Sequence, residues 1–431
     1  MEARLAQAGL PPLRRTAWVE IDLEALTANL AAIRAMAGGA AVMPVVKADA
    51  YGHGMIPVAT ALESAGVEGL CVATLDEALA LRDAGIRSEL IVLYPIPPGE
   101  ASTAAAAGIT ITAGDAEAVA ALLAAAAAAS ADAAGAIPSI ELEVETGLGR
   151  GGIGGADAVN VARRILAARG RLSGVWSHLQ ETEVESTTAE QVRRFEATLS
   201  ALAAAGIHVP RRHLSASAAL VLGAVPIYDA VRPGLVTYGL IPEELRTAGI
   251  APDRLQRAAS DLRPVMALVA RPVRVAELPA GHGVSYGPTW RAARPSRIAT
   301  LPIGYGDGWP RSLSNRGRVL VRGVRAPVVG NVAMDATMVD VTDVPGAPVG
   351  SADEFVLLGR QGSDEITAAE LARWRTTNSW EVVTAMSARL TRVYHAAAGP
   401  AGTRSLGSQE TRWLASNSGM ATSATSRSTR S

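Results

Sequence analysis

Short apolar runs typical of buried strands alternate along this chain with longer stretches in which apolar residues recur at helical spacing. Helix-like stretches fill most of the gaps between the strands, and one of them begins at Leu75, with Thr74 and Glu77 at the spacing of a capping box. Strands alternating with helices in this way predict an α/β fold, a (β/α)8 barrel of the TIM type that ends near residue 250. The eight strand-like runs lie at residues 42–46, 68–72, 89–93, 109–112, 139–144, 173–177, 212–216 and 228–232.

A different pattern follows the barrel. After about residue 255, short β-rich runs separated by Gly and Pro replace the helical periodicity. We therefore predict an N-terminal arm over residues 1–16, a barrel domain over residues 17–252 that opens with a strand from Ala17 to Asp22, and a C-terminal, mostly-β domain over residues 253–397. Residues 398–431 are rich in Ser, Thr, Gly and Arg, which predicts a disordered tail.

Composition and charge exclude several classes of partner. The 431 residues include 40 Lys and Arg against 41 Asp and Glu, without a basic stripe, which argues against nucleic-acid binding. The very apolar stretch from Ala120 to Ala129 has roughly half the length that spans a bilayer. The lone Cys71 excludes an internal disulfide, and residues 1–15 lack the apolar segment of a secretory signal. We expect a cytoplasmic protein without a membrane partner.

The stretch from Val42 to Gly54, VMPVVKADAYGHG, carries the first candidate chemistry. Lys47 ends a strand of buried type, and desolvation at the mouth of such a strand lowers the pKa of a lysine ammonium group. Since a neutral amine is what attacks an aldehyde, Lys47 is a candidate Schiff-base lysine. The glycines on either side of His53 predict a flexible turn where a bulky ligand approaches the backbone. The alternative interpretation is a snorkelling lysine before an ordinary turn.

The ten residues from Val45 to Gly54 closely resemble the pyridoxal-phosphate lysine motif of the alanine racemase family. The resemblance implies that Lys47 holds pyridoxal 5'-phosphate through its amine and that the Tyr51 hydroxyl contacts the cofactor's phosphate. Further motifs of this family follow in the same order and extend the resemblance over roughly residues 17–394. It implies the same architecture, a barrel followed by a β domain.

A glycine-rich stretch, Gly147 to Gly152, formally matches the dinucleotide fingerprint G-x-G-x-x-G. That fingerprint also requires an acidic residue about twenty positions further on, and residues 163–178 contain none. The segment Thr146 to Arg150 instead resembles the family's Thr-Gly-Met-Gly-Arg. This resemblance implies that Arg150 bonds the phenolic oxygen of the cofactor and helps to hold the substrate carboxylate.

The strand before this loop alternates Glu141, Glu143 and Glu145 with apolar residues, which places the three carboxylates on one face. Many family members have a carbamylated lysine at the position of Glu143, whose negative end orients the arginine. We hypothesise that Glu143 performs this task by pairing with Arg150. The alternative interpretation is a solvated strand face.

Candidate cofactor ligands also follow the later barrel strands, at the end where barrel active sites are built. The resemblance implies that His178 bonds the catalytic tyrosine, that Ser217 and the amides of Gly234 and Leu235 bind the phosphate, and that Arg232 faces the pyridine nitrogen. Because a guanidinium group cannot accept a proton, it leaves that nitrogen neutral, which favours racemisation over transamination. Ala216 is a departure, since the family commonly has Asn before the serine.

The β domain contributes further motifs of the family. The resemblance implies that Tyr286 is the second catalytic base, that Tyr305 lines the entrance, and that the Met334 amide binds the substrate carboxylate beside Asp335. The family commonly has arginine at the position of Asn331.

Trp380 is another departure, because it replaces a tyrosine that bonds the phosphate and bounds the substrate pocket in the family. An indole N–H group can still donate a hydrogen bond, but the pocket changes shape.

Taken together, these motifs predict a pyridoxal-phosphate-dependent isomerase, an amino-acid racemase that interconverts L- and D-alanine with Lys47 and Tyr286 as two bases and supplies D-alanine for peptidoglycan. The resemblance also implies a homodimer in which Tyr286 and Met334 act in the partner subunit's site. Alternatives stay open: a racemase of serine or another amino acid, and a homologue that binds the cofactor without turnover. Arg232 argues against a decarboxylase of related fold, and the second domain argues against a regulatory protein that consists of the barrel alone.

Overall fold

The computed structural model describes residues 1–7, 9, 11–129, 137–247, 249–396 and 411–415. The chain forms two compact units. The first, called the barrel unit here, contains Thr27–Ala50 and Met55–Arg263. The second, called the sheet unit, contains Met1–Leu26, Tyr51–Gly54 and Pro264–Ser431.

The strands are numbered in chain order. They are β1 Ala17–Asp22, β2 Ala41–Val42, β3 Gly69–Val72, β4 Glu89–Val92, β5 Ile109–Ala113, β6 Ser139–Glu143, β7 Arg171–Trp176, β8 Arg212–Ala216, β9 Ala230–Arg232, β10 Met266–Ala270, β11 Arg274–Leu278, β12 Ser296–Leu301, β13 Arg318–Val321, β14 Val324–Pro327, β15 Thr337–Asp340, β16 Phe355–Gln361, β17 Asp364–Ile366, β18 Thr391–Ala396 and β19 Thr411–Ala415. The α-helices are Glu2–Gln7, Leu23–Ala37, Met55–Ser64, Leu75–Asp83, Ala101–Ala106, Ala116–Ala129, Gly155–Ala167, Glu185–Ala204, Ser217–Leu222, Glu243–Thr247, Pro252–Asp261, Ala368–Arg375 and Ser379–Thr384.

The barrel unit is built on an eight-stranded sheet in the order β2-β9-β8-β7-β6-β5-β4-β3, with every pair parallel. A parallel bridge between Val45 and Cys71 joins the segment after β2 to β3 and so connects the two ends of the sheet. The predicted (β/α)8 barrel is therefore confirmed, and each of the eight predicted runs overlaps one of these strands. Cys71 is fully buried inside it, as a small apolar side chain.

Local capping signals were predicted correctly where the partner lies within one turn. Thr74 accepts a hydrogen bond from the backbone of Glu77, whose side chain returns to the Thr74 backbone, and this capping box starts the helix Leu75–Asp83. Asp22 accepts a hydrogen bond of 2.8 Å from the Ala25 amide at the start of the next helix. Such contacts depend only on near neighbours in sequence, so the sequence pattern determines them.

The sheet unit contains a mixed sheet in the order β14-β13-β16-β10-β1-β18-β19, with β17 paired to β16, and a three-stranded sheet in the order β11-β12-β15. The prediction that β1 opens the barrel domain is wrong. It lies between β10, with Trp18 opposite Val269, and β18, to which it is parallel. An apolar run identifies a strand but not its partners, and both partners of β1 follow all the barrel strands in sequence.

The other predicted boundaries also shift. The helix Pro252–Asp261 lies in the barrel unit, which extends to Arg263. Most of the predicted tail, residues 398–431, lies outside the described residues, but Thr411–Ala415 forms a strand parallel to β18. Among the residues that the structure describes, no helix is both long and apolar enough to cross a membrane.

Candidate active site

Lys47 begins a single left-handed turn at the carboxyl end of the strand segment that bridges to β3. The four residues from Ala48 to Tyr51 have φ between 52 and 55°. L-residues rarely adopt this conformation, which costs roughly 1–2 kcal/mol per residue, so neighbouring groups must hold the turn. Glu77 accepts a 2.7 Å hydrogen bond from the Ala48 amide, and Asp49 accepts one of 2.8 Å from Met55. The sequence predicts the lysine but not this turn, because Ala, Asp, Ala and Tyr carry no strong left-handed signal.

The amine of Lys47 lies close to aromatic and cationic groups. Burial, and then the neighbouring Arg150, lower the pKa of the Lys47 ammonium group, as the sequence predicts. Tyr94 lies two residues after the end of β4. The centre of its ring is 5.9 Å from the Lys47 Nζ atom and 5.5 Å from the Arg150 Cζ atom. Tyr94 thus connects two of the predicted site residues, although no motif in the sequence identified it.

The hypothesis that pairs Glu143 with Arg150 is supported by their geometry. Arg150 Nη2 lies 3.3 Å from Glu143 Oε1, and the two side chains are 35% and 6% exposed. Burial raises the pKa of the Glu143 carboxyl, and Arg150 only partly opposes this effect. Glu141 is also fully buried, so a solvated strand face is wrong for these two carboxylates.

The glycine-rich loop before Arg150 is organised by the third carboxylate of the strand. Glu145 accepts hydrogen bonds from the amides of Gly147 and of Gly149, the latter at 2.9 Å. A dinucleotide loop would direct such amides at a pyrophosphate group. The loop therefore presents Arg150 and not an anion-binding surface, in agreement with the missing acidic residue.

Arg232 is almost completely buried and packs over the ring of Trp176, 4.7 Å from the ring centre. Its Nη1 donates to His213 Nδ1 at 2.5 Å and to the His213 carbonyl at 3.1 Å, and its Nη2 donates to the Ser177 carbonyl at 2.7 Å. Of the five N–H groups of a guanidinium, two are left without a partner among the described residues. His213 was not predicted from the sequence, because a lone histidine in a strand does not indicate a function.

His178 is half-buried beside these cations. Burial, together with Arg232, Arg150 and Lys47, lowers the pKa of His178 to about 3, so its ring is neutral at physiological pH. Gln191, which the sequence analysis did not identify, donates to the His178 carbonyl and to the Thr146 hydroxyl, both at 3.1 Å. It connects the loop of Arg150 to the loop of His178.

Two of the predicted phosphate ligands, Ser217 and the amide of Gly234, are hydrogen-bonded to each other. Ser217 Oγ accepts hydrogen bonds from the amide of Gly234 at 2.9 Å and from that of Val236 at 3.5 Å. The adjacent Leu235 is fully buried. Ala216 stands at the N-cap of the helix Ser217–Leu222 and provides no side-chain cap.

In the sheet unit, Tyr286, Tyr305 and Met334 are 77%, 44% and 53% exposed. Asn331 donates to the Tyr286 carbonyl at 2.8 Å, and Ser285 donates to the Asn331 carbonyl at 2.6 Å. These bonds fix the loop of Tyr286 to the segment that leads to Met334.

The loops of Tyr305 and Met334 are also joined to each other. The Tyr305 amide donates to the Ala333 carbonyl at 3.1 Å, and the Gly306 amide donates to the Met334 carbonyl at 3.0 Å. Asp335 forms an ion pair with Arg389. The sheet unit thus brings together four predicted site residues from three separate stretches of the sequence.

Two further predicted residues, Tyr51 and Trp380, belong to the sheet unit, where Tyr51 is buried and Trp380 is half-buried. The sequence-based interpretation of Gly52 and Gly54 as a turn where a bulky ligand approaches the backbone is wrong. A Cβ atom on Gly52 would lie 2.2 Å from the Val383 carbonyl oxygen, and one on Gly54 would lie 1.8 Å from the Tyr394 hydroxyl oxygen. The protein itself, and not a ligand, makes the close approach.

Within the described part of the chain, no group of three or more His, Cys, Asp or Glu side chains is arranged to hold a metal ion. The candidate site therefore offers an amine, two arginines, a neutral imidazole and a set of backbone amides. These are groups that bind carbonyl, phosphate and carboxylate functions of organic molecules.

Comparison with known proteins agrees with this chemistry. Residues 21–242 match the family model "Alanine racemase, N-terminal domain", and residues 265–394 match "Alanine racemase, C-terminal domain". An alanine racemase of Symbiobacterium thermophilum is 40% identical over 383 residues, which are 88% of this chain and 97% of that protein. One of Thermobifida fusca is 40% identical over 382 residues, 87% of this chain and 96% of that protein.

Solved structures give the same result. The crystal structure of alanine racemase from Bacillus anthracis with bound L-Ala-P has a TM-score of 0.80 at 32% identity, covering 89% of this chain and 96% of that one. The enzyme from Streptomyces lavendulae, a producer of D-cycloserine, has a TM-score of 0.79 at 35% identity, covering 89% and 98%.

Proposed function

Because this chain belongs to the alanine racemase family, a family of pyridoxal-phosphate-dependent isomerases, we propose that it interconverts L- and D-alanine by a two-base mechanism. The observation that carries the proposal is the group formed by Lys47, Arg150 and Glu143 at one end of the barrel. The biological role that we propose is supply of D-alanine for peptidoglycan, in the cytoplasm. The alternative substrates are serine or another amino acid, since Trp380 changes the family pattern at the substrate pocket.

The residues present fit pyridoxal 5'-phosphate. Lys47 offers an amine whose pKa is lowered by burial, the amides of Gly234 and Val236 converge on the Ser217 hydroxyl, and Arg232 keeps two N–H groups without a partner in the described part of the chain. We infer that Ser217, with the amides of Gly234 and Leu235 and the hydroxyl of Tyr51, holds the phosphate and that Arg232 faces the ring nitrogen. When it is bound, the cofactor acts as an electron sink that makes the Cα–H bond of the amino acid acidic.

The protein's own groups then have defined tasks. Lys47, freed by the incoming amino acid, moves a proton at one face of Cα, and Tyr286 moves one at the opposite face. Arg150, oriented by Glu143, holds the substrate carboxylate together with the Met334 amide. His178 stays neutral beside these cations and serves as a hydrogen-bond partner for the catalytic tyrosine.

A homodimer is part of the proposal, with Tyr286 and Met334 acting in the partner subunit's site. The exposure of Tyr286, Tyr305 and Met334 supports it, since large side chains that are at least 44% exposed in the single chain form a surface that a partner can cover. Mixing an inactive Lys47→Ala variant with an inactive Tyr286→Phe variant should restore up to about a quarter of the activity once subunits exchange at random. The arrangement would be contradicted if light scattering showed an active protein to be a monomer. It would also be contradicted if no activity returned after the subunits had exchanged.

The first test of the function is spectroscopic. The purified protein should absorb at about 420 nm, and the band should be lost in Lys47→Ala. Optical rotation with L-alanine, D-alanine and L-serine then identifies the substrate. Turnover of serine or a larger amino acid in place of alanine would identify that amino acid as the substrate. An absorbance band without turnover of any amino acid would mean that the protein binds the cofactor but is not a racemase.

A further inference from the structure

A chain of charged and polar side chains extends from Arg232 into the barrel. Arg232 Nη1 donates to His213 Nδ1 at 2.5 Å, and His213 Nε2 lies 2.9 Å from Glu141 Oε2. The other oxygen of Glu141 accepts bonds of 3.0 and 2.7 Å from Arg211, which also binds both oxygens of Glu89 at 2.7 Å. Glu141 and His213 are both fully buried.

The protonation states along this chain follow from its charges. Burial opposes ionisation of Glu141, but the hydrogen bonds from His213 and Arg211 and the charge of Arg211 outweigh it and lower the pKa of its carboxyl. An ionised carboxylate accepts hydrogen bonds only. His213 must therefore carry its proton on Nε2, and burial lowers the pKa of His213, so that the ring stays neutral. Its Nδ1 lone pair is then the acceptor that Arg232 needs.

We propose that Glu141 is a positioning residue for Arg232: by accepting a hydrogen bond from the Nε2–H group of His213, it keeps the His213 ring in the tautomer whose Nδ1 lone pair faces Arg232, and so fixes the direction of the guanidinium group. The opposite tautomer would place an N–H group against the N–H of Arg232, and two donors cannot bond. This inference rests on the proposed function only for its consequence, which is that the two remaining N–H groups of Arg232 face the pyridine nitrogen of the cofactor.

The variant Glu141→Gln has nearly the same shape but replaces one acceptor oxygen by an amide donor. If that donor faces His213, the Nε2 proton is displaced and the Nδ1 acceptor is lost. If it faces Arg211, two donors meet there instead, and Arg211 remains paired with Glu89. Glu141→Asp keeps both acceptors, and Glu89→Gln removes the same charge from Arg211 without contact to His213, which makes it the matched control.

The first measurement needs no cofactor. The measurement is nitrogen NMR of the full-length protein labelled at histidine, with the His213 signals assigned through His213→Gln. His213 should be the Nε2–H tautomer in the unsubstituted protein, in Glu141→Asp and in Glu89→Gln. This tautomer should be partly lost in Glu141→Gln. An Nδ1–H tautomer in the unsubstituted protein would overturn the proposal even if Glu141→Gln did not fold. So would an unchanged tautomer in a folded Glu141→Gln.

The second measurement uses added pyridoxal phosphate and alanine. Glu141→Gln should bind the cofactor at least about 10-fold more weakly, as expected for a misdirected charge-assisted hydrogen bond. It should lower kcat while the KM for alanine changes less than about twofold, because Arg232 acts on the ring and not on the substrate carboxylate. Equal losses in Glu141→Gln and Glu89→Gln would overturn the proposal in favour of a general charge effect. If the unsubstituted protein binds no cofactor, the proposed function fails, and the tautomer alone decides the role of Glu141.

Discussion

Glu143→Gln tests whether the charge of this buried carboxylate orients Arg150. The substitution keeps the size of the side chain and an oxygen that can accept from Arg150 Nη2, which lies 3.3 Å from Glu143 Oε1. The negative charge is removed, and the second carboxylate oxygen becomes an amide nitrogen. Any change in activity therefore reports on the loss of the carboxylate that pairs with Arg150 and not on a cavity.

The size of the effect follows from the exposure of the two partners. A hydrogen bond to a charged group contributes about 1.5–3 kcal/mol, but Arg150 is 35% exposed, so that solvent screens part of the interaction. We expect a loss of about 1–2 kcal/mol, or roughly a 5–30-fold lower kcat/KM. Most of it should appear as a higher KM, because Arg150 holds the substrate carboxylate in both the ground state and the transition state.

The pH dependence gives an independent signature. Burial raises the pKa of the Glu143 carboxyl above its ordinary value of 4.5. Below this raised pKa the carboxyl is neutral and Arg150 loses its charged partner, so kcat/KM should fall as the pH decreases through it. This acid limb should be absent from Glu143→Gln.

The assay is racemisation of alanine followed by optical rotation between pH 5 and 9, with thermal unfolding as a check on the fold. Glu143→Asp keeps the charge on a shorter side chain and should lie between the other two proteins. Since Glu143 needs no carbamylation, removal of bicarbonate should leave the activity unchanged. A Gln variant with unchanged KM, kcat and acid limb would refute the reasoning.

Three further changes test groups outside this pair. Tyr94→Leu removes the ring near two cations and should lower kcat/KM about 2–10-fold, whereas Tyr94→Phe should retain it; equal losses in optical-rotation assays would point to the hydroxyl instead. Asn331→Ala frees the Tyr286 carbonyl and should lower kcat about 5-fold or more, and kcat/KM should fall equally in both directions because the equilibrium between the enantiomers is fixed; a loss confined to KM would contradict this role. Gly52→Ala would place a Cβ 2.2 Å from a carbonyl oxygen at a φ of +80° and should reduce the free energy of unfolding by at least about 2 kcal/mol, against a smaller loss in Gly38→Ala, where nothing lies within 4 Å; similar unfolding midpoints would refute the clash.

The features that depend on near neighbours in the chain were predictable from the amino-acid sequence. The alternation of strands and helices predicted the barrel, because a buried strand and an amphipathic helix each have a recognisable period. The segment around Lys47 and the loop of Arg150 were predicted because each forms one continuous motif. The pairing of Glu143 with Arg150 was predicted from the family resemblance, and it is a local contact, because a strand end and the loop that follows it stay close in space.

Contacts between distant segments of the chain, in contrast, depend on how the whole chain folds. The pairing of β1 with β10 and β18 depends on strands that follow the whole barrel in sequence. The left-handed turn after Lys47 is held by Glu77, which lies 30 residues after Lys47. No residue type in the turn itself predicts the left-handed conformation. The chain from Glu141 through His213 to Arg232 joins three strands of one barrel. Its residues have no common motif, because closure of the barrel, and not proximity in sequence, brings them within hydrogen-bonding distance.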